Sequence, residues 1–271
     1  MRRSCARFRR MSKTMNDLQN ETNEYREDMR LRPYRREFCY SYSPGVFPTC
    51  ELAVKKPDIL RKIVISASAE GNEGVLLLKR IAAENNVPFV TDDKTLARIY
   101  PKENVYAAGV FEKYTSKLSP SNDHVVMVDP MDKGNMGTVM RTMTAFGIRD
   151  LAVIRPCCDV FDPKTVRASM GAVFSLNVEH FDSFAEYETE FKKDRKFYPF
   201  MLDGRPMSSV TPDASGPPVS LIFGNESSGL PGSFSKVGEP VRIVHLDTVD
   251  SLNLPSAAAI GIYYFTSKRF G

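Results

Sequence analysis

The fold is decided by residues 243–259, which read IVHLDTVDSLNLPSAAA near the carboxyl end of this 271-residue chain. The stretch begins as an apolar strand, crosses a polar loop and enters a helix that Pro255 can open, because proline is tolerated at the first helical position. Its three consecutive alanines suit a helix pressed closely against another backbone. Ser251 and Asn253 supply short hydrogen-bonding groups at the helix start, where polar ligands bind readily. Taken alone, these residues also fit ordinary helix capping.

A second segment, residues 221–230, is an apolar strand that runs into a loop with the sequence GNESSG. Gly224 and Gly229 bound this loop and permit tight turns and the close approach of a ligand. The carboxylate of Glu226 can orient backbone amides or accept a hydrogen bond from a substrate. A plain surface loop with an exposed glutamate fits this segment equally well.

A third segment combines a helix start with a basic side chain. Asn135 is predicted to cap a helix that runs to about residue 145, and Gly147 is placed to end that helix in a left-handed turn. Arg141 follows Asn135 by six residues and therefore lies on nearly the opposite side of the helix. The two side chains meet one ligand only if the helix start bends. A capped helix with a surface arginine explains this segment on its own.

Predicted strands and helices alternate along most of the chain, which indicates an α/β protein with a mainly parallel sheet covered on both faces. Ligands bind beyond the carboxyl ends of such strands, and all three segments follow a predicted strand. Residues 1–34 are predicted to be a disordered or loosely ordered arm, 35–115 a small α/β domain that opens with an irregular segment, and 123–271 a second domain. The predicted strands are 62–66, 87–90, 105–111, 124–128, 151–154, 197–202, 219–223 and 241–245.

The positive charge is concentrated at the amino end. The chain has 37 Lys and Arg against 33 Asp and Glu, a net charge of +4, but residues 1–10 contain five arginines and no acid. Residues 11–271 therefore sum to −1. The basic end either steers nucleic acid or is a solvated terminus. The total charge does not by itself indicate an RNA partner.

Composition argues against several classes of protein. No run approaches the roughly 18 consecutive apolar residues of a transmembrane helix, so no membrane partner is expected. The five cysteines contain no CxxC pair and are expected to be free thiols in a reducing compartment, which predicts a cytoplasmic location. With three scattered histidines, no metal site is expected, and His245 at a strand end is interpreted as structural.

Together and in this order, the three segments resemble the motifs of SpoU-type RNA ribose 2′-O-methyltransferases, the TrmH-like branch of the SPOUT superfamily. The resemblance spans about residues 123–267 and includes residues 163–172, PKTVRASMGA, which are similar to the family's pKvvRaSxGa segment. The Ser-Leu-Asn at 251–253 is its most specific part. Two departures stand out: 132–135 reads DKGN where many members have Asp-Pro-x-Asn, and 243–245 reads IVH where Ile-Pro-Met is usual.

This resemblance implies a methyl transfer from S-adenosylmethionine to a ribose 2′-hydroxyl in structured RNA, either transfer or ribosomal RNA. It implies an α/β fold whose C-terminal parallel sheet is tied in a deep trefoil knot, preceded by a small ribosomal-protein-like domain that binds the RNA substrate. It also implies a homodimer that completes the active site. No metal is implied.

The resemblance also assigns roles to individual residues. Arg141 takes the position of the family's catalytic arginine, to which family proposals give the proton-accepting role, with help from the RNA phosphate. Because free arginine stays protonated at ordinary pH, we assign it instead to holding phosphate or stabilising alkoxide charge. The other catalytic positions are Asn135, Glu226, Ser251 and Asn253. Backbone around Gly224, Ile243 and Leu252 is expected to hold the cofactor, and the residues expected to contact RNA are Arg141, Arg167 and Ser169.

Three alternatives stay open at this point. The first is a catalytically degenerate SPOUT-fold protein that only binds RNA. The second is a different nucleotide-dependent α/β enzyme, which the lack of a Gly-x-Gly-x-x-Gly or P-loop sequence disfavours. The third is an RNA-binding module built on the N-terminal domain alone, which leaves the C-terminal half unexplained.

Overall fold

The computed structural model describes residues 30–213 and 215–269, which form two β-sheets with helices packed on them. The predicted arm falls mostly on residues 1–29, outside the described part of the chain. Its predicted end at residue 34 is a few residues late, because Leu31 is buried and the Tyr34 hydroxyl donates to Asp159 in the second domain. One leucine and one tyrosine among arginines were too weak a signal of packing.

The first sheet has four strands in the order β1-β4-β2-β3. β4 is antiparallel to β1 and β2, whereas β2 and β3 are parallel. This is the small α/β domain predicted from the sequence; its likeness to a ribosomal protein stays a prediction. Its elements are β1 (Tyr40–Pro44), α1 (Val46–Lys55), β2 (Leu60–Ile65), α2 (Glu73–Glu84), β3 (Phe89–Thr91), α3 (Asp93–Ile99) and β4 (Ala107–Glu112).

The second sheet has six strands, all parallel, in the order β10-β8-β9-β5-β6-β7. The prediction of a mainly parallel sheet is therefore confirmed, while the trefoil knot stays a prediction. The elements are β5 (His124–Val128), α4 (Lys133–Ala145), β6 (Asp150–Ile154), α5 (Pro163–Ala168), β7 (Asn177–Phe181), α6 (Phe184–Phe191), β8 (Lys196–Pro206), β9 (Val219–Phe223), β10 (Val241–Arg242) and α7 (Leu254–Thr266).

The core of the second domain lies on both faces of β5, β6 and β9. All five residues of β5 and of β6 are buried, and so are four of five in β9. Strands buried on both faces read as continuous apolar runs, which is why the sequence located them to within a residue. The parallel pairing of β5 with β9 brings their carboxyl ends together at one edge of the sheet.

The two domains are docked through polar and aromatic contacts. The Lys113 ammonium lies 3.0 Å from the carboxylate of Asp159, which also accepts the Tyr34 hydroxyl. The rings of Phe111 in β4 and Phe174 in the second domain meet edge to face at 5.1 Å. The small domain is thus fixed against the larger one near α5.

The predicted cap of α4 is wrong. Helix α4 begins at Lys133, and its N-cap is Asp132, whose carboxylate accepts the backbone amide of Asn135 at 2.7 Å. The sequence contains two good capping residues three positions apart, and capping preference alone does not choose between them. The other end agrees with the prediction, since Gly147 has a φ of 78°.

Within the described ranges, no helix is long and apolar enough to cross a membrane. The same part of the chain contains no cluster of His, Cys, Asp or Glu side chains arranged for a metal ion. Three of its cysteines, Cys50, Cys157 and Cys158, are free thiols. Burial, with Cys157 and Glu226 close by, raises the pKa of the Cys158 thiol to about 12, so this thiol is a poor nucleophile.

Candidate active site

A cavity of about 220 Å³ lies at the carboxyl edge of the six-stranded sheet. Its wall is formed by the middle of β8, the ends of β9 and β10 with the loops that follow them, and the start of α7. Ligands bind at this edge in open parallel sheets. The cavity brings together five of the residues predicted for the site: Gly224, Glu226, Ile243, Ser251 and Leu252.

The loop after β9 closes tightly on itself. The backbone amide of Gly229 donates to Asn225 O at 3.0 Å, and that of Asn225 donates back to Gly229 O at 3.2 Å. A Cβ placed on Gly224 would lie 2.2 Å from the carbonyl carbon of Gly229, far inside any normal contact. Gly229 has a φ of 66°, which favours glycine. Both glycines are therefore required by the shape of the loop.

Asn225 organises this loop, and the sequence analysis did not single it out. Its side-chain oxygen accepts the backbone amides of Ser227 and Ser228, at 2.9 and 3.2 Å. Its side-chain amide donates to the carbonyl of Asp129 at 2.8 Å. Asp129 has a φ of 52°, a strained conformation that this contact helps to hold. Asparagine before serines is a turn former, so the signal was present in the sequence.

Glu226 joins the loop after β9 to the loop after β5. Its two carboxylate oxygens accept the backbone amides of Asp132, at 2.9 Å, and of Met131, at 3.2 Å. Of the two roles considered from the sequence, the structure shows the orientation of backbone amides. Asn135 lies in a shallow depression beside the cavity, which Glu226 and Asn225 also line. The segment at 221–230 and the segment that contains Asn135 therefore meet here.

Helix α7 is held close to the sheet by its small residues. A Cβ on Gly261 would lie 2.5 Å from the ring of Phe200, and Ala258 is fully buried. Asn253 is the N-cap of this helix, with its backbone carbonyl accepting Ala257 N at 3.0 Å, although its side chain makes no capping hydrogen bond. The side chain of Asn253 is exposed next to the cavity-lining Leu252.

Arg141 is not in the cavity of its own chain. It is exposed on α4, on the same face as Thr138 one turn before it and Ala145 one turn after it. It lines neither the cavity nor the depression. In the described part of the chain, its guanidinium has no hydrogen-bond or salt-bridge partner. As its spacing from Asn135 predicted, the two side chains do not converge.

The residues expected to contact RNA are placed differently from one another. Arg167 is exposed but pairs with Glu103 of the small domain. Ser169 is fully buried, and its hydroxyl donates to Val166 O at 2.8 Å. In this structure the hydroxyl stabilises the turn after α5, a role that sequence similarity does not distinguish from ligand contact, and the expected contact of Ser169 with RNA stays a prediction.

Phe200, Phe223 and His245 are among the cavity residues that were not predicted as site residues. Phe200 and Phe223 stack at a centroid distance of 4.4 Å and form an aromatic wall. His245, interpreted as structural from the sequence, lines the cavity with its Nδ1 3.0 Å from Leu246 O. Phe200 lies in β8, a strand distant in sequence from the three segments, so the sequence carried no signal that it lines the cavity.

The fold and the cavity define an α/β protein that binds its ligand in loops at the carboxyl edge of a parallel sheet. The model of the SpoU rRNA Methylase family matches residues 122–263, more than half of the chain. The chain therefore belongs to the SpoU rRNA methylase family, as the motifs indicated.

Similar proteins include RNA-modifying enzymes. A 23S rRNA (uridine(2479)-2′-O)-methyltransferase of Streptomyces viridochromogenes is 30% identical over 151 residues, covering 52% of this chain and 50% of that protein. A 23S rRNA (guanosine(2553)-2′-O)-methyltransferase of Bacillus subtilis is 26% identical over 221 residues, 79% of this chain and 84% of its own. The crystal structure of the SpoU methyltransferase AviRb from Streptomyces viridochromogenes, in complex with AdoMet, superposes with a TM-score of 0.74 at 21% identity, over 86% of this chain and 91% of that chain.

Proposed function

We propose that the protein transfers the methyl group of S-adenosylmethionine to a ribose 2′-hydroxyl of ribosomal or transfer RNA. The observation that carries the proposal is the convergence of the segments at 221–230 and 243–259 on one cavity, with the segment that contains Asn135 tied to it by Glu226. Family membership and the names of the two similar enzymes support the reaction and the RNA substrate.

The cavity fits this cofactor in two respects. The glycine at 224 leaves the space that a Cβ would fill against Gly229, so a ligand meets bare backbone there. The stacked rings of Phe200 and Phe223 supply an apolar wall for a flat base. Backbone at Gly224, Ile243 and Leu252 would hold the cofactor. When bound, it supplies an activated sulfonium methyl group, so the protein itself makes no leaving group.

The side chains of the protein then position the two substrates and stabilise the charge that develops on oxygen. Glu226 fixes the two loops that border the cavity, and Asn135, Ser251 and Asn253 present polar groups around its rim. Alignment of the hydroxyl with the methyl group contributes a large share of the acceleration in such transfers. A guanidinium beside the reacting hydroxyl stabilises negative charge on oxygen, which is the role of Arg141.

A homodimer supplies this arginine. Arg141 lies outside the cavity of its own chain, on α4. The same helix contacts α7 through the rings of Phe146 and Tyr263, 5.6 Å apart. Tyr263 and Ile260 on α7 are 57% and 40% exposed, an apolar face that a second copy would cover. The Arg141 of that second copy then faces the RNA bound at this cavity.

The small domain serves as the RNA-binding domain in this proposal, and the cytoplasm is the location in which the reaction takes place. The docking of the small domain through Asp159 and Phe174 keeps it at a fixed distance from the cavity.

A catalytically degenerate RNA-binding protein is the weaker alternative, because the side chains at the catalytic positions are retained. Calorimetry separates the two: a degenerate domain gives no heat with S-adenosylmethionine.

The proposal is tested in cells. RNA from cells with and without the gene is compared for nucleotides that resist alkaline cleavage, which marks a blocked 2′-hydroxyl. We expect at least one position in ribosomal or transfer RNA to lose its resistance when the gene is absent. Identical patterns in every growth condition would contradict the proposed function.

A further inference from the structure

The proposed reaction needs a group that accepts the proton of the ribose 2′-hydroxyl. Arg141 does not provide it, because a guanidinium stays protonated at ordinary pH. Glu226 lines the cavity, but both of its carboxylate oxygens are engaged by the backbone amides of Met131 and Asp132. Arg242, the remaining charged residue of the cavity wall, is also a permanent cation.

His245 has the missing property. Its Nδ1 lies 3.0 Å from the carbonyl oxygen of Leu246. A carbonyl oxygen only accepts hydrogen bonds, so Nδ1 carries the hydrogen, and in the neutral ring Nε2 then carries the free electron pair. Among the described residues, Nε2 of His245 has no hydrogen-bond partner. In the neutral ring, the cavity therefore contains an acceptor nitrogen that the backbone contact holds in one tautomer.

The location of His245 suits a contact with RNA. The ring is half-buried in the cavity wall, while the flanking Val244 and Leu246 are exposed, which places the imidazole at the rim. The charged residues of the same cavity wall are Arg242 and Glu226, and Asp247 and Asp250 follow His245 in the loop.

The other two histidines do not reach the cavity. His124 is fully buried at the start of β5, where its ring nitrogens face Tyr187 and Ser119. His180 lies in β7, at the far edge of the sheet. In the described part of the chain, His245 is thus the one imidazole that lines the cavity.

We propose that His245 is a further catalytic residue, whose Nε2 accepts the proton of the ribose 2′-hydroxyl. The inference rests on the proposed function. The hydroxyl oxygen forms a bond to the methyl carbon while the carbon–sulfur bond breaks, and the electron pair of that bond stays on sulfur as a thioether. The hydroxyl proton moves to Nε2, and the imidazolium formed releases it to water.

The test compares the full-length protein with His245→Asn, His245→Ala and the control Val244→Thr, a change of similar shape at the adjacent exposed position. Labelled methyl transfer is measured on RNA from cells that lack the gene, and S-adenosylmethionine binding is measured by calorimetry. We expect kcat to fall about 100-fold or more in both His245 variants, with Kd for the cofactor within about twofold of wild type. Free imidazole is expected to restore part of the activity of His245→Ala, because it replaces the lost acceptor.

Several results would overturn the inference. An unchanged kcat in His245→Asn removes the role outright. A raised Kd for the cofactor with an unchanged kcat at saturating cofactor makes His245 a cofactor contact instead. A loss of methyl transfer that imidazole does not rescue, with cofactor binding intact, excludes proton transfer. If wild type itself transfers no methyl group to this RNA, the proposed function fails and the inference fails with it.

Discussion

Single residues around the cavity act through close approach and through charge. Gly224 lets two stretches of backbone meet where any side chain would collide with Gly229. Asn225 and Glu226 use their polar atoms on backbone groups of neighbouring loops, so they shape the cavity before any ligand arrives. Arg141 differs, because its guanidinium is exposed and unpaired within the described residues. The first three residues are therefore expected to affect binding, and Arg141 to affect turnover.

Gly224→Ala is expected to weaken cofactor binding. The added methyl group would lie 2.2 Å from the Gly229 carbonyl carbon, so the loop that lines the cavity must shift. We expect Kd for S-adenosylmethionine to rise tenfold or more, a change of about 1.4 kcal/mol, measured by calorimetry. Gly232→Ala is the matched control, because nothing lies within 4 Å of its added Cβ. Equal affinities in both variants would show that the loop does not hold the cofactor.

Arg141→Ala is expected to abolish methyl transfer while cofactor binding survives, because the side chain lies outside the cavity of its own chain. The loss is expected to be 100-fold or more in kcat, in the range of other single electrostatic stabilisers. Arg149→Ala is the control, since Arg149 is an exposed arginine next to the start of β6, at the opposite edge of the sheet. Near-normal transfer by Arg141→Ala in a labelled-methyl assay would remove Arg141 from the mechanism.

At the level of elements, the strands that the sequence locates best are those that are apolar and buried on both faces. β5 and β9 were located to the residue, because they are apolar and buried on both faces. β1 was missed: it is buried too, but it contains Ser41 and Ser43 and ends at Pro44, which is tolerated on an edge strand.

β7 was missed for a related reason. Its sequence NVEHF carries polar side chains whose partners come from elsewhere in the fold, since Glu179 accepts the amide of Leu118 at 2.9 Å and Asn177 donates to Asp150 at 3.2 Å. Tertiary partners of this kind are invisible to hydrophobic periodicity. The same holds for the site: the motifs gave the residues that line the cavity, but Phe200 and the position of Arg141 relative to the cavity follow only from the fold.

The exposed face of α7 leads to a prediction about assembly. Tyr263 and Ile260 present apolar surface beside α4, and an aspartate at 263 would put a charge into an interface formed there. Wild type is expected to have the mass of two copies in light scattering, and Tyr263→Asp the mass of one. Tyr106→Asp is the control, because Tyr106 is a similarly exposed tyrosine of the small domain. A dimeric Tyr263→Asp variant would place the interface elsewhere.

At the scale of the whole molecule, stability depends on pH through a buried histidine. His124 is fully buried, with Nδ1 2.9 Å from the Tyr187 hydroxyl and Nε2 2.8 Å from Ser119 O. Burial, reinforced by the charge of Arg195, lowers the pKa of His124 to about 4. An unfolded histidine titrates near pH 6.5, so the unfolded chain binds the proton first, and the native state loses stability as pH falls from about 6.5 to 4.

The free energy of unfolding in urea is therefore expected to fall by up to about 1.4 kcal/mol per pH unit from this group across that window. Burial also lowers the pKa of His180, which contributes in the same direction. His124→Gln removes one titrating group, so its stability is expected to change less steeply with pH than that of wild type. Equal slopes for the two proteins would contradict a neutral, buried His124.

The whole molecule combines a cavity with a small domain fixed against the larger one, and the central claim is that its product is a 2′-O-methylated ribose. The most direct measurement incubates the protein with labelled S-adenosylmethionine and RNA from cells that lack the gene, then hydrolyses the RNA in alkali. The account predicts label in an alkali-stable dinucleotide, because a methylated 2′-oxygen blocks cleavage of the adjacent phosphodiester. Label only in mononucleotides would mean base methylation, and would contradict the account.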